Sequence, residues 1–179
     1  MPGRAEPSHA RGIGLRRYDS AQGTRRPRIR TRRNRGKQLS NIAHNAALAV
    51  ERLQGRVPGQ WDYTHESLRA VDAVIDHLSP HREHMEKGMF DALVNIIGCY
   101  VLEVGRREHG GDYAYFEPGK HSVLVVRGPD FQVALSAFDV VENRLKGSPL
   151  HSTWMIYRAF SEQVRAAEPE TSKTFGFFA

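Results

Sequence analysis

One cysteine, Cys99, stands in 179 residues. An intramolecular disulfide is excluded, and a body of this size does not need one to bury a core. A lone cysteine inside an apolar stretch behaves as a small hydrophobe, and its use here fits a reducing compartment. No uninterrupted apolar run reaches the roughly 20 residues of a bilayer span, so no membrane partner is expected. No apolar h-region follows the N-terminus, so a secretory signal is not expected and the cytoplasm is the default location. G-x-S-x-G, a Walker loop, H-E-x-x-H, C-x-x-C and a dinucleotide fingerprint are all missing. The common hydrolase, nucleotide, zinc-protease and redox chemistries therefore lose their usual sequence supports. The chain reads as a binding protein before an enzyme, and no cofactor is expected.

Acidic residues are scarce in one region. Residues 1–40 hold Glu6 and Asp19 against twelve Arg and Lys, whereas residues 41–179 hold 18 acids against 14 cations. The net charge of +6 thus belongs to a basic arm, and the body is mildly acidic. Residues 1–37 show no helical or alternating period, with Ile13, Leu15 and Ile29 as scattered apolar positions, so a disordered tail is expected there. Its densest part holds Arg25, Arg26, Arg28, Arg30, Arg32, Arg33, Arg35 and Lys37. Arginine forks onto phosphate oxygens, and each neutralised phosphate releases counterions. Nucleic acid, RNA or DNA, or another polyanion is the expected partner of this arm. The acidic body offers a second possibility, a protein partner of a regulatory domain whose tail is incidental.

What is there in quantity is an apolar helix. Glu86 to Arg107 reads EKGMFDALVNIIGCYVLEVGRR, and a helix apolar around its circumference is buried on most sides. It is expected to be the centre of a single α+β domain over residues 38–167. A first helix from near Gln38 to Ser40 ends at Gly55. Thr64 is placed to cap a second helix, with Tyr63 and Leu68 as a hydrophobic staple. Ser79-Pro80 is expected to open the third. Tyr113–Phe116, Ser122–Val126 and Phe131–Leu135 then form a three-stranded antiparallel meander, with Gly119 supplying a type II turn. Ser136 and Ser148-Pro149 are expected to start two C-terminal helices. Residues 168–179 form an aromatic tail. Strands grouped rather than interleaved with helices indicate α+β.

Two constellations are candidates for chemistry. Glu103 closes an apolar stripe with Ala92, Ile96 and Cys99, so burial should raise its pKa unless a partner compensates. Arg107, one turn on, is that partner. The pair is either a functional carboxylate or a helix-end ion pair that anchors the meander. His77, His81 and His84 have helical spacing for a metal, but Ser79-Pro80 starts a new helix between them, so no metal site is expected.

Two short motifs resemble segments of small bacterial domains of unknown function, often actinobacterial. They are Asp62-Tyr63-Thr64-His65-Glu66-Ser67-Leu68 and Tyr100-Val101-Leu102-Glu103-Val104 with Gly110-Gly111 after it. Leu102 replaces that pattern's glycine, and Tyr113 stands where tryptophan is common. The resemblance implies a bacterial accessory or immunity-like domain.

Overall fold

The computed structural model describes residues 35–116, 119–150, 152–167 and 172–175, with side chains from Asn41 onward apart from Ser172 and Thr174. Helix α3 (Lys87–His109) carries the fold, and Ile96 to Gly105 are buried without a gap. By length and composition alone this helix is long and apolar enough to cross a membrane, yet 56% of that apolar window lies buried inside the fold. Helix α1 (Arg35–Leu53) packs along α3 through Ile42, Ala46, Ala49 and Leu53. It begins at Arg35, ahead of the expected Gln38.

Helix α2 (Leu68–Leu78) starts later than expected, because residues 64–67 form tight i→i+3 turns first. Thr64 still serves the helix entrance, since its hydroxyl accepts from Ser67 N at 3.3 Å. Ser79-Pro80 opens only a 3₁₀ segment, Ser79–His84. Met85 and Glu86 then turn to extended backbone, with ψ of 130° and 144°, and α3 begins afresh at Lys87.

Strands β1 (Asp112–Phe116), β2 (His121–Arg127) and β3 (Gln132–Leu135) form the antiparallel meander. The register pairs Tyr113 with Leu124 and Leu124 with Leu135, which turns these apolar side chains toward the helices. In the β1–β2 turn the left-handed residue is Lys120, at φ 53°, and not Gly119. Helix α4 (Phe138–Leu145) has Ala137 at its N-cap position with no side-chain cap, and the Ser136 hydroxyl bonds His121 rather than the helix entrance. Helix α5 (Thr153–Arg165) is capped by Ser152, whose hydroxyl accepts from Met155 N, and by Asp72 of α2. Ser148-Pro149 therefore precedes α5 without capping it.

Within the expected aromatic tail, Ser172–Phe175 form a fourth strand, β4, parallel to β3. A run this short carries no strand signal of its own; its pairing with β3 makes it one. The architecture is thus mixed helix and sheet. Two glycines of α3 allow its close packing. A Cβ at Gly98 would stand 2.7 Å from the Phe138 ring, and one at Gly105 would stand 2.7 Å from Leu124 Cδ2.

Candidate functional site

Three polar clusters are set into this frame. The first is centred on Glu103, which is 1% exposed. Arg106 donates to both of its oxygens, Nε to Oε2 at 2.9 Å and Nη2 to Oε1 at 2.8 Å. Arg107 Nε donates to Oε1 at 3.0 Å, and the Tyr113 hydroxyl donates to Oε2 at 2.7 Å. Burial pushes the carboxyl up, but the bonds from Arg106, Tyr113 and Arg107 outweigh it and hold it down at about 2. Burial, with Glu103 beside it, pushes the Tyr113 phenol well above its ordinary range. The Arg107 guanidinium also lies 3.6 Å from the centre of the Tyr63 ring.

Arg107 takes the place its spacing predicted. Arg106 and Tyr113 escaped the sequence reading. Arg106 had a visible signal in its i+3 spacing, whereas Tyr113 reaches Glu103 only because β1 folds back on α3. A carboxylate so enclosed and so low in pKa is a weak base. What this arrangement does chemically is fix two arginines and one strand to the end of a helix.

The second cluster joins the end of α3 to α5. Tyr157 donates to Glu108 Oε2 at 2.7 Å, Ser161 donates to Oε1 at 3.3 Å, and Arg165 pairs with the same carboxylate. Burial pushes the Glu108 carboxyl up, but these partners and His109 bring it below its ordinary value. His109 Nε2 lies 2.9 Å from Ser161 Oγ, and burial holds its imidazole below the usual histidine range. His65 stacks on Trp154 nearby, with ring centres 5.2 Å apart, and Arg69 covers that indole at 4.0 Å. The buried ring nitrogens of Trp61, His65 and Trp154 have no hydrogen-bond partner among the described residues.

The third cluster borders a cleft of about 260 Å³ between the early turns of α3, the β1–β2 turn and α4. His121 at the start of β2 places Nδ1 2.8 Å from the Gly119 carbonyl and Nε2 2.7 Å from Ser136 Oγ. Since a carbonyl only accepts, Nδ1 donates to Gly119, while Nε2 and the Ser136 hydroxyl share one hydrogen bond whose direction follows the tautomer. Asp139 lies 3.6 Å from the same Nε2. Burial pushes its carboxyl up; His121 opposes that, and the Glu142 carboxylate adds to it. Ser136 is fully buried, so this serine–histidine contact offers no nucleophile to a substrate. Ser136, expected at a helix start, meets His121 instead, and no sequence signal announces that contact, because the segments meet only in the fold.

The remaining candidates fall apart. His77, His81 and His84 are exposed, with the His77 and His81 rings 6.2 Å apart. Among the described residues no group of three or more His, Cys, Asp or Glu is placed to hold a metal. The break at the 3₁₀ segment removes the common face that helical spacing implied. Cys99 is buried, and burial pushes its thiol up to about 11, which leaves it protonated and inert as a nucleophile. Arg25, Arg26, Arg28, Arg30, Arg32 and Arg33 lie outside the described residues, and Arg35 and Lys37 fall in the first turn of α1. No protein-family model, curated protein or solved structure matches the chain, so no residue role is transferred from relatives.

Proposed function

We propose that this chain is a non-enzymatic accessory protein, of the bacterial kind its two motifs resemble, whose arginine-rich arm contacts nucleic-acid phosphates. The reading includes a cytoplasmic location, which the single buried thiol favours. One observation carries it: eight cations, seven of them arginine, lie within residues 25–37 and no acid is among them. The body supports it indirectly. Glu103 and Glu108 are occupied by arginines, tyrosines and a serine of the fold, which leaves the arm as the chain's concentrated source of positive charge.

Arginines so closely spaced in sequence meet phosphates before base edges, so binding should be steep in salt and shallow in sequence. If roughly four cations engage a duplex, log affinity against log salt has a slope of about −3 to −4. Fluorescence anisotropy of the full chain at several salt concentrations measures it. Serine at Arg28, Arg30, Arg32 and Arg33 should flatten the slope and leave the melting temperature unchanged. An unchanged slope sinks the arm hypothesis and favours the alternative, an immunity-like or regulatory domain that binds a protein through its acidic body.

A further inference from the structure

The cleft beside α4 has apolar walls and an acidic rim. Phe90, Val94 and Phe138 supply the walls, and Asp91, Asp139 and Glu142 stand around them. At about 260 Å³ it is smaller than ordinary small-molecule sites, which start near 300 Å³. It suits one long side chain.

The rim is short of cations. Lys87 pairs with Asp91 and Lys146 with Glu142, both as exposed neighbours one helical turn apart. Asp139 meets His121 and Ser136 and no lysine or arginine among the described residues. The contrast with Glu103 is direct. Glu103 is enclosed and holds two guanidinium groups, whereas Asp139, with its side chain 30% exposed at the cleft, holds none. Just beyond the cleft, Met89 is 58% exposed, so the apolar side of α3 continues past Phe90 into solvent.

We infer that this cleft takes an arginine side chain, its methylenes against Phe90 and Phe138 and its guanidinium at Asp139, and that the arginine comes from the chain's own arm. Charge complementarity selects this occupant, since residues 25–33 carry six arginines and no acid. Chain length permits it. Arg25 stands ten residues before α1, a reach of about 33 Å when extended, against a radius of gyration of about 15 Å for a body this size. Tethering also keeps the arm at an effective concentration in the millimolar range. Polyanion and cleft then compete for the same arginines, a regulatory consequence that rests on the proposed function, whereas the docking itself does not.

The test is paramagnetic relaxation in the full chain. With Cys99→Ala and Ser20→Cys, a nitroxide is placed on the arm, and amide signals of Asn95, Phe138 and Asp139 are followed. The expected result is broadening of these signals at low salt. It should be lost near 1 M salt, where the Debye length is about 3 Å. It should also be lost on serine substitution of Arg25, Arg26, Arg28, Arg30, Arg32 and Arg33. Absence of broadening at low salt, or broadening that survives those substitutions, overturns the inference. Broadening seen only when spin-labelled and isotope-labelled chains are mixed assigns the cleft to a second copy and also overturns it. A short single-stranded RNA added last separates the two ideas: unchanged broadening leaves the docking standing and counts against the nucleic-acid reading alone.

Discussion

Tyr113 donates its hydroxyl to Glu103 across 2.7 Å, and with that bond the first strand of the sheet is tied to the central helix. The same carboxylate holds Arg106 and Arg107. Glu103→Gln keeps the shape and removes the charge, leaving two arginines without their counter-ion. Loss of one member of a buried pair costs about 3–5 kcal/mol. The arginine side chains are 36% and 49% exposed, which reduces the expected cost to about 2–3 kcal/mol. A fall in melting temperature of roughly 5–10 °C follows. Tyr113→Phe should cost about 1 kcal/mol. Thermal melts of both variants measure this; an unshifted Glu103→Gln melt would show that the network adds nothing to stability.

Acid should act through the same group. Glu103 drops from an ordinary 4.5 to about 2 in the folded chain. A carboxyl with a depressed folded value contributes fully above its unfolded value, and that contribution disappears as the pH falls through the window between the two. Urea midpoints measured from about pH 5 to about pH 2 should therefore fall steeply in the parent and less steeply in Glu103→Gln. Parallel curves would assign the acid sensitivity to other carboxylates.

Asp139 has the opposite sign. Burial and Glu142 raise its carboxyl, so the ionised form carries a penalty at neutral pH that protonation relieves. At about 1 M salt, where the arm is released from the cleft, Asp139→Asn should leave stability unchanged or raise it by less than about 1 kcal/mol at pH 7. Any gain should vanish in acid, where the parent is protonated too. A clear loss at neutral pH would mean that the His121 contact outweighs the burial.

Ile97 is fully buried and Val101 is 2% exposed. Aspartate at either site places a charge among apolar side chains with no cation to meet it. The expected loss exceeds about 4 kcal/mol and unfolds the chain. Circular dichroism and gel filtration read the result, and a cooperatively folded variant would show that the helix tolerates a charge at its centre.

Periodicity made much of this architecture legible in the sequence, and the parts that escaped it share a cause. The apolar run of α3, the three meander strands and the Glu103–Arg107 spacing are local patterns, visible because neighbours in sequence create them. Tyr113 at Glu103, Asp72 at the start of α5, and Ser136 at His121 are contacts between distant segments, and no period announces them. Two serine-proline pairs looked alike as helix openings. One gave a 3₁₀ turn and the other only preceded a helix, because capping is decided by which backbone N–H groups face the side chain. Strand β4 lies in the expected aromatic tail, and its four residues take strand form only through the partner beside them.

That strand sets the order in which the sheet can be completed. Its partner β3 ends at Leu135, while the residues that cover β3's open side begin at Ser172. The Phe175 carbonyl then closes the corner by accepting from Ser136 N at 2.8 Å. During synthesis the whole of α4 and α5 must emerge before that side is covered. For that interval an apolar strand shows unpaired backbone groups, the feature that recruits strands from other chains. At ribosomal speeds of about 5–20 residues per second, the exposure lasts a few seconds. Nascent chains stalled inside α5 should therefore aggregate or bind chaperones more than those stalled after Phe175 has emerged.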